Sequence, residues 1–600
     1  MKNYMEISIQ QNASTFGIVR PEFISTTLDW WHLKSKGWGN SSVIHADLTH
    51  PNLIAAARGL GPYFLRIGGS FADIATYDMS SNSTIINSTT PLVGDAADRL
   101  AKACNKNRQL CLTRQRWDEI LKFAHDTGAR IFFTLAYIQH TRDEDSGESD
   151  QRDWDSTNAR QLLQYTAQSK YANVVFGFEL GNELTHKHKV QNITRLVNAY
   201  KELRLVIDEA WSSSANTNDN YIHKPKILGP ASIGPSQTTK LLKALGNHID
   251  IATYHKYHGG GKDPSLIKHA KSTSIIQHPR NFHDLSNAVH KYMDNKKKKQ
   301  QPEVWIGEGA MAFNSGRQNL TDSFVGSFWF TNLLGAISKS RPHTVYCRQA
   351  LVGGYYELIS HETMKARPDY WIAYLWKKLV GTKVIGPILS PHRIDSVDEY
   401  TFGCCKGPGY DTLLIHSFCA KDEETANNPI FVITNIDKKL PFSLNITVGT
   451  HITKYILTGK GGRRDSRSVI LNGKQLLTIE NGKLPEIVGE DTDELVVTLP
   501  PVSIAFVIVR GIQVDECVPS MVAAANETAQ IKHVSSSSMV DQPQVLRDGT
   551  VPFIASESEM QQPVTIHDVR QLALAQLLFA FVFFAFIFYL RKRIQKSRKI

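Results

Sequence analysis

The chain is short of the residue patterns that build metal centres. Its seven cysteines (Cys104, Cys111, Cys347, Cys404, Cys405, Cys419 and Cys517), spread over 600 residues, show no zinc-type spacing, so no structural metal and no cofactor are expected. Because the count is odd, at least one thiol stays unpaired within the chain, and Cys104 with Cys111 is the pair expected to bridge across a short loop. Met1 to Arg20 lacks an apolar h-region, so no signal peptide is visible there. Positive charge is scarcer than the formal +11 suggests, since six basic residues and no acidic one sit in Arg591–Ile600, leaving +5 for everything else. A diffuse excess of that size does not argue for nucleic acid, and it is compatible with acidic polysaccharides. At 42% hydrophobic and 21% charged, the composition excludes wholesale disorder. The length exceeds what one core usually organises, so at least two modules are expected.

One long apolar run is present. Leu572 to Leu590 is uncharged, is interrupted only by Gln576 and Tyr589, and is followed at once by Arg591-Lys592-Arg593. Its length is close to the ~20 residues a bilayer core requires, so residues 571–590 read as one membrane-spanning helix and the basic tail 591–600 as its cytoplasmic flank. Eight N-x-S/T sequons (Asn12, Asn40, Asn82, Asn87, Asn192, Asn319, Asn445, Asn526) lean toward a lumenal or extracellular ectodomain. The expected protein is a single-pass membrane glycoprotein, the alternative being insertion by its tail with the enzyme facing the cytosol.

Between Tyr63 and Lys378 apolar runs of strand length alternate with helical patterns. Strands are predicted at Tyr63–Ile67, Ile131–Ile138, Val174–Leu180, Lys226–Pro230, Ile249–Tyr257, Val304–Ala310 and Thr344–Leu351, with helices such as Arg116–Thr127, Asn158–Gln168, Val190–Ala210, Thr239–Leu245 and Phe324–Ser340 between them. Continuous rather than alternating apolar strands, in about eight units, favour a closed (β/α)8 TIM barrel over residues 61–383. One strand is missing and is expected within Ser70 to Cys111. Residues 384–514 change to short alternating segments (Thr412–Phe418, Ile430–Asn435, Leu444–Val448, Glu494–Leu499, Ser503–Val509), which read as an antiparallel β-sandwich. The N-terminal segment 1–60 is expected to lie partly in it, through Met5–Gln10. Residues 515–570, rich in Ser, Gln and Pro, look like a flexible stalk. The charge runs Arg142–Asp155 and Lys296–Lys299 read as solvated loops.

Two constellations carry chemistry. In Phe176-Gly177-Phe178-Glu179-Leu180-Gly181-Asn182-Glu183 an apolar strand ends in an amide beside a carboxyl, at the rim where barrel enzymes assemble their sites. Glu179 lies deeper and is expected to play a structural, hydrogen-bonding role. Alone, Glu183 would read as an exposed loop carboxylate. Val304-Trp305-Ile306-Gly307-Glu308-Gly309 supplies a second strand ending in a single carboxylate. Two such glutamates can converge across the mouth at the ~5–5.5 Å a retaining glycosidase needs, one attacking the anomeric carbon and the other protonating the leaving oxygen. Like charges so close disfavour double ionisation, so Glu183 is expected protonated and Glu308 ionised. In Tyr254-His255-Lys256-Tyr257 the ring hydroxyls and the imidazole could hold the nucleophile or sugar hydroxyls, and Arg66 would be costly to bury unless it faced a carboxylate, here on the Glu308 side.

These motifs resemble glycoside hydrolase family 79, the heparanase and plant heparanase-like β-glucuronidase family. Thr27-Leu28-Asp29-Trp30-Trp31, Leu65–Ser70, Cys111 with Arg116-Trp117-Asp118-Glu119-Ile120, Phe178–Glu183, Gly307-Glu308-Gly309, Arg348-Gln349, Leu351–Gly354, Pro368-Asp369-Tyr370-Trp371 and Lys377–Val384 carry the resemblance. It implies a retaining enzyme cleaving β-linked glucuronic acid in a polysaccharide or glycoprotein glycan. Glu183 would be its acid/base and Glu308 its nucleophile, with Asn182 a ligand of the adjacent sugar hydroxyl, Asp29 a ligand of sugar hydroxyls, and Gly354 with Tyr356 meeting the uronate carboxylate. Tyr355 and Glu357 depart from the family pattern, and Glu357 is expected to add negative charge near that carboxylate. The segment Ser70–Cys111 is too short to hold an excised linker like that of animal heparanase. The alternatives are a hydrolase of a neutral β-glycoside and a non-catalytic, membrane-anchored glycan-binding protein.

Overall fold

Eight short segments, almost all buried on both faces, close into a parallel barrel: β1 (Ile24–Asp29), β2 (Tyr63–Gly68), β3 (Ala129–Leu135), β4 (Val175–Leu180), β5 (Lys226–Ile233), β6 (Ile251–Gly260), β7 (Val304–Phe313) and β8 (His343–Arg348). Neighbours in the ring are neighbours in sequence, and β8 closes onto β1 through Tyr346 opposite Ile24. The computed structural model describes residues 3–9, 15–32, 35–80, 110–138, 153–187, 190, 192–212, 223–270, 279–293, 302–386, 388–390, 413–421 and 427–518.

The strand missing from the sequence reading is β1, so the barrel begins at Ile24 and not at residue 61. Four of its six residues are polar (Ile-Ser-Thr-Thr-Leu-Asp), which hides it from a search for apolar runs. Burial is nevertheless tolerated because those groups are hydrogen-bonded, as buried polar groups must be. Ser25 donates to the carbonyl of Glu22 at 2.7 Å, Thr26 to that of Arg348 at 2.9 Å, and Thr27 to the Gln349 side chain. The described ends of Ser70–Cys111 form a separate two-stranded pair, Thr76–Asp78 with Cys111–Thr113, outside the barrel.

Alternation along the strands sorts the barrel interior into layers. At the N-terminal end Phe64, Phe132, Phe176, Leu228, Ile251, Trp305, Val345 and Cys347 make a dry floor, with Phe176 stacked on Trp305 at 5.2 Å. Two residues further along three of these strands come Arg66, Thr134 and Thr253, the polar layer on which the site rests.

Two sheets pack beyond the barrel. Nine strands, among them Thr15–Ile18, Val380–Ile385, Leu413–Ala420, Pro429–Asn435, His451–Gly459 and Ser503–Arg510, form an antiparallel sheet. Four others, Ile388–Ser390, Asn3–Ser8, Phe442–Ile446 and Val496–Leu499, form the second. One apolar cluster draws Ile7, Leu444 and Val497 from the smaller sheet and Ile415, Phe431 and Val507 from the larger, so the two face each other across a shared core. The expected all-antiparallel pattern needs one correction, because Asn3–Ser8 runs parallel to Phe442–Ile446. A strand delivered from the far end of the chain is free of the hairpin constraint that enforces antiparallel pairing. Cys419 and Cys517 form a disulfide within this part, and Cys347 is a buried free thiol. Cys111 is disulfide-bonded, while Cys104 lies outside the described residues.

The helix Phe324–Lys339 is buried nearly all round, as expected of an element covered on both sides. It touches β7 and β8 on one side and the strands Thr15–Ile18, Leu413–Ala420 and Pro429–Asn435 on the other, and so joins barrel to sheet. Among the described residues no helix is long and apolar enough to cross a membrane. The run Leu572–Leu590, the tail Arg591–Ile600, the stalk beyond residue 518, Lys296–Lys299, most of Arg142–Asp155 and the sequons at Asn12, Asn82, Asn87 and Asn526 lie outside the described residues.

Candidate active site

Arg66 organises the site from below. Its side chain is fully buried, and each guanidinium nitrogen donates to a different partner: Nε to Glu179 at 2.8 Å, Nη1 to Glu308 Oε2 at 2.9 Å and Nη2 to Asn182 Oδ1 at 2.9 Å. A flat fork of fixed donors can satisfy three acceptors at once, which an ammonium on a flexible stem cannot. Gly68 makes room for it, since a Cβ there would come within 2.6 Å of the Arg66 Cζ. Burial alone would make Arg66 easier to deprotonate, but Glu179 and Glu308 outweigh it and hold the cation firmly charged. Burial likewise pushes the Glu179 carboxyl up, and the attraction of Arg66 and His255 with the hydroxyl of Thr253 brings it below the ordinary carboxylate range. Thr253 donates to it at 2.7 Å and Thr134 at 3.1 Å. Glu179 is thus the buried counter-charge of Arg66.

Glu308 ends the apolar part of β7 and receives two donors: Arg66 on Oε2, and the Tyr257 hydroxyl on Oε1 at 2.5 Å. Burial and the neighbouring Glu308 charge both raise Tyr257 well above an ordinary phenol, so it keeps its proton and donates. Across the mouth, Glu183 follows β4 in the left-handed region (φ +56°), where a non-glycine residue is strained. Its backbone N–H donates to the carbonyl of Ala231 at 3.0 Å, and its Oε1 lies 2.8 Å from His255 Nδ1. Side-chain atoms of Glu183, His255 and Glu308 all lie within 4.8 Å of one another. That trio is also of the types that bind divalent cations, but Glu308 already has a full positive charge on one oxygen and a phenol on the other.

A cleft of about 530 Å³ opens over these groups. Of the residues expected to meet substrate, Asp29, Glu183, His255, Tyr257, Glu308 and Tyr356 line it. Arg66, Asn182 and Gly354 do not, and each stands behind one that does. Asn182 is held by Arg66 and by Asp73, whose carboxylate accepts its backbone N–H at 2.5 Å. Its Nδ2, like Nε2 of His255, is buried without a hydrogen-bond partner among the described residues. Gly354 (φ +75°) allows the Tyr356 ring to pack, since a Cβ there would meet that ring at 2.6 Å. Tyr356 packs edge-on against Trp38, whose Nε1 donates to Ser315 at 2.8 Å, and Gln349 approaches its hydroxyl at 3.5 Å.

The charge expected from Glu357 is absent from the cleft. Glu357 is buried and accepts from the backbone N–H of Gly353 (3.0 Å) and of His361 (2.9 Å), and it pairs with Arg367 (2.9 Å) and the His361 ring (2.8 Å). It is a neutralised anchor for the turn that carries Tyr356.

Trp31, Ser70, His186, Ile233, Gly234, Lys256, Phe313, Asn314, Ser315 and Gln349 also line the cleft, and the sequence reading assigned none of them a role there. Asn314 and Ser315 are adjacent non-glycine residues with φ of +56° and +65°, a wall of strained backbone that has no signature in sequence.

A parallel barrel with two glutamates converging at its C-terminal rim over an arginine-centred polar layer is the framework of a glycoside hydrolase. The description of glycosyl hydrolase family 79, N-terminal domain, matches residues 5–335, and the chain belongs to that family. It is 30% identical over 524 residues to heparanase-like protein 1 of Arabidopsis thaliana, covering 82% of this chain and 91% of that one. It is 25% identical over 488 residues to a hyaluronoglucuronidase of Hirudo nipponia, covering 78% of this chain and 91% of that one. The solved 4-O-α-L-rhamnosyl-β-D-glucuronidase of Fusarium oxysporum 12S shares the fold, with a TM-score of 0.51 and 13% identity over 84% of this chain and all of that one.

Proposed function

We propose that this glycoside hydrolase cleaves β-linked glucuronic acid from glycans by double displacement, with Glu308 as nucleophile and Glu183 as acid/base. The observation that carries the reading is the approach of the two carboxylates to within 4.8 Å, close to the ~5–5.5 Å of retaining enzymes and too short for a water between them. In the first step Glu308 attacks the anomeric carbon as Glu183 passes its proton to the leaving oxygen. In the second, Glu183 takes a proton from water, which attacks the same carbon and frees Glu308. Arg66 and Tyr257 orient the nucleophile, and His255 holds the acid/base.

Relatives that act on glucuronides support the sugar. On the glycone side Asp29 and Asn182 would bind hydroxyls, and Tyr356 at its glycine turn would meet the carboxylate. Burial and the Asp29 charge keep the Tyr356 phenol protonated, and therefore a donor. No lysine or arginine lines that wall among the described residues, which favours a neutral β-glycoside as the second reading. Hydrolysis of an aryl β-glucuronide beside an aryl β-glucoside, by the full chain and by Glu308→Gln, tests both. Glucuronide turnover with retained anomeric configuration, lost in the variant, is expected. A preference for the glucoside would establish the second reading, and no turnover on either would leave an endo-only enzyme or a binding protein.

The proposed setting is a membrane-anchored enzyme with the barrel lumenal or extracellular and the tail cytoplasmic. The apolar run Leu572–Leu590 with its basic flank supports it, and so does the Cys419–Cys517 disulfide, of a kind that persists in oxidising compartments. Release of the protein from membranes by high salt or alkaline carbonate would overturn the span.

A further inference from the structure

Three consecutive backbone N–H groups hold the turn that carries Glu183, and each is bonded to a different neighbour. Gly181 donates to the carbonyl of Leu135, the last residue of β3 (2.9 Å), Asn182 to the Asp73 carboxylate (2.5 Å) and Glu183 to the carbonyl of Ala231 in β5 (3.0 Å). The turn needs such holding, because Gly181 (φ +74°) and Glu183 (φ +56°) both lie in the left-handed region, and at Glu183 that conformation is strained. A peptide unit is planar, so fixing its N–H fixes its plane. The Asp73 bond fixes the plane between Gly181 and Asn182, and of the three acceptors it is the one supplied by a side chain.

Asp73 is itself tied down. It is fully buried in a one-turn 3-10 helix, Ala72–Ile74, just past β2. Its carbonyl accepts the N–H of Ile138, beyond the end of β3, at 2.8 Å, and Ala72 donates back to the Gly69 carbonyl at 3.0 Å. One residue thereby spans the ends of β2, β3 and β4. Desolvating a carboxylate costs far more than desolvating a neutral acceptor, so a loop joint alone gives no reason for a charge here. A charged acceptor does make a shorter and roughly twofold stronger bond to an N–H, which suits a peptide held against backbone strain.

We propose that Asp73 is a positioning residue for the acid/base, holding the Gly181–Glu183 turn so that the Glu183 carboxyl meets the leaving oxygen. This rests on Glu183 being the acid/base. The Asn182 side chain has a tether of its own, Arg66 Nη2 at 2.9 Å, so loss of the Asp73 bond releases the peptide without freeing the amide that would meet the glycone. The consequence falls on proton transfer. In the first step a leaving group that departs as a stable anion needs no proton, whereas a poor one does. In the second step water must give a proton to Glu183 whatever the substrate was.

The test measures kcat and KM of the full chain, Asp73→Ala, Asp73→Asn and Glu183→Gln on the β-glucuronides of phenol and of dinitrophenol. In Asp73→Ala, kcat/KM is expected to fall roughly tenfold or more on the phenyl glucuronide but by less than about threefold on the dinitrophenyl one. On the latter, kcat and KM should fall together, because the glucuronyl-enzyme accumulates. Azide attacks the anomeric carbon and displaces the Glu308 carboxylate without having a proton to lose, so it should restore kcat and yield the β-glucuronyl azide. Asp73→Asn keeps a neutral acceptor with a bond about half as strong, and should show the same signature at smaller amplitude. It decides the matter if Asp73→Ala does not fold. Unchanged kinetics in a folded Asp73 variant, or an equal fall in kcat/KM on both glucuronides, overturns the inference, since a general loss of structure does not sort substrates by their leaving group. If Glu183→Gln lacks the signature, the parent reading fails as well; if Glu183→Gln shows it and the Asp73 variants do not, only this inference fails.

Discussion

Arg66 and Glu308 are joined by a 2.9 Å ion pair whose arginine is simultaneously the counter-ion of Glu179, so the proposed nucleophile shares its cation with a carboxylate that never meets solvent. Removing the cation therefore strands two acids. Arg66→Met is expected to lower the unfolding free energy by about 3–5 kcal/mol, the cost of leaving a buried charge uncompensated. Denaturant titration checks it: the midpoint should fall with the slope unchanged.

Tyr257 acts on the other oxygen of Glu308. Tyr257→Phe keeps the ring and its packing on Phe313 (6.3 Å, edge-on) but deletes the donor. A hydrogen bond to a charged group contributes about 1.5–3 kcal/mol, so kcat on an aryl glucuronide should fall roughly 10- to 150-fold while thermal stability changes little. Steady-state kinetics beside a melting curve would show an equal kcat in the two proteins if the phenol were only a packing element.

Gly354→Ala forces a side chain into a left-handed residue and against the Tyr356 ring. The expected cost in stability is about 1–3 kcal/mol. KM for the glucuronide should rise more than kcat falls, because the displaced phenol meets the bound sugar and not the breaking bond. An unchanged KM would remove Tyr356 from the glycone wall.

His361 provides a pH test. Burial alone lowers the affinity of this imidazole for a proton, but its hydrogen bond to Glu357 and the charge of that carboxylate raise it above the ordinary value of about 6.5. A histidine with a raised folded pKa contributes stability that is fully present below its unfolded pKa and is lost as pH rises through the folded one. The stability gap between the native chain and His361→Gln should thus be widest below about pH 6 and shrink toward alkaline pH. Unfolding midpoints measured across that range decide it, and a gap that widens with pH would contradict the assignment.

Strands β2 to β8 were legible because strands buried on both faces read as unbroken apolar runs, and Glu183 and Glu308 were legible as the carboxylates just past the apolar stretch of two of them. Strand β1 was not, because its burial depends on hydrogen bonds from Ser25, Thr26 and Thr27 that only the folded ring supplies. Strand His451–Gly459 alternates in burial along its second half, yet its Thr, Lys and His residues diluted the signal. The contribution of Lys256 and Phe313 to the cleft follows from strands running on past their apolar stretch, and the neutralisation of Glu357 from partners four and ten residues away that fold back on it. The Cys419–Cys517 disulfide spans 98 residues and depends on sheet order, which spacing alone does not encode.

The parallel pairing of Asn3–Ser8 with Phe442–Ile446 sets an order of events at the ribosome. Asn3–Ser8 has no partner until Ile388–Ser390, about 380 residues further on, has been made, and its parallel partner Phe442–Ile446 follows later still, a wait of tens of seconds at ordinary elongation rates of about 5–20 residues per second. The barrel can close as soon as β8 is available, but the smaller sheet must wait with an apolar strand (Met5, Ile7 and Ile9 all buried in the finished core) uncovered. Termination between residues 348 and 388 would leave a barrel with an unpaired sticky strand, so covering that strand depends on the second half of the chain.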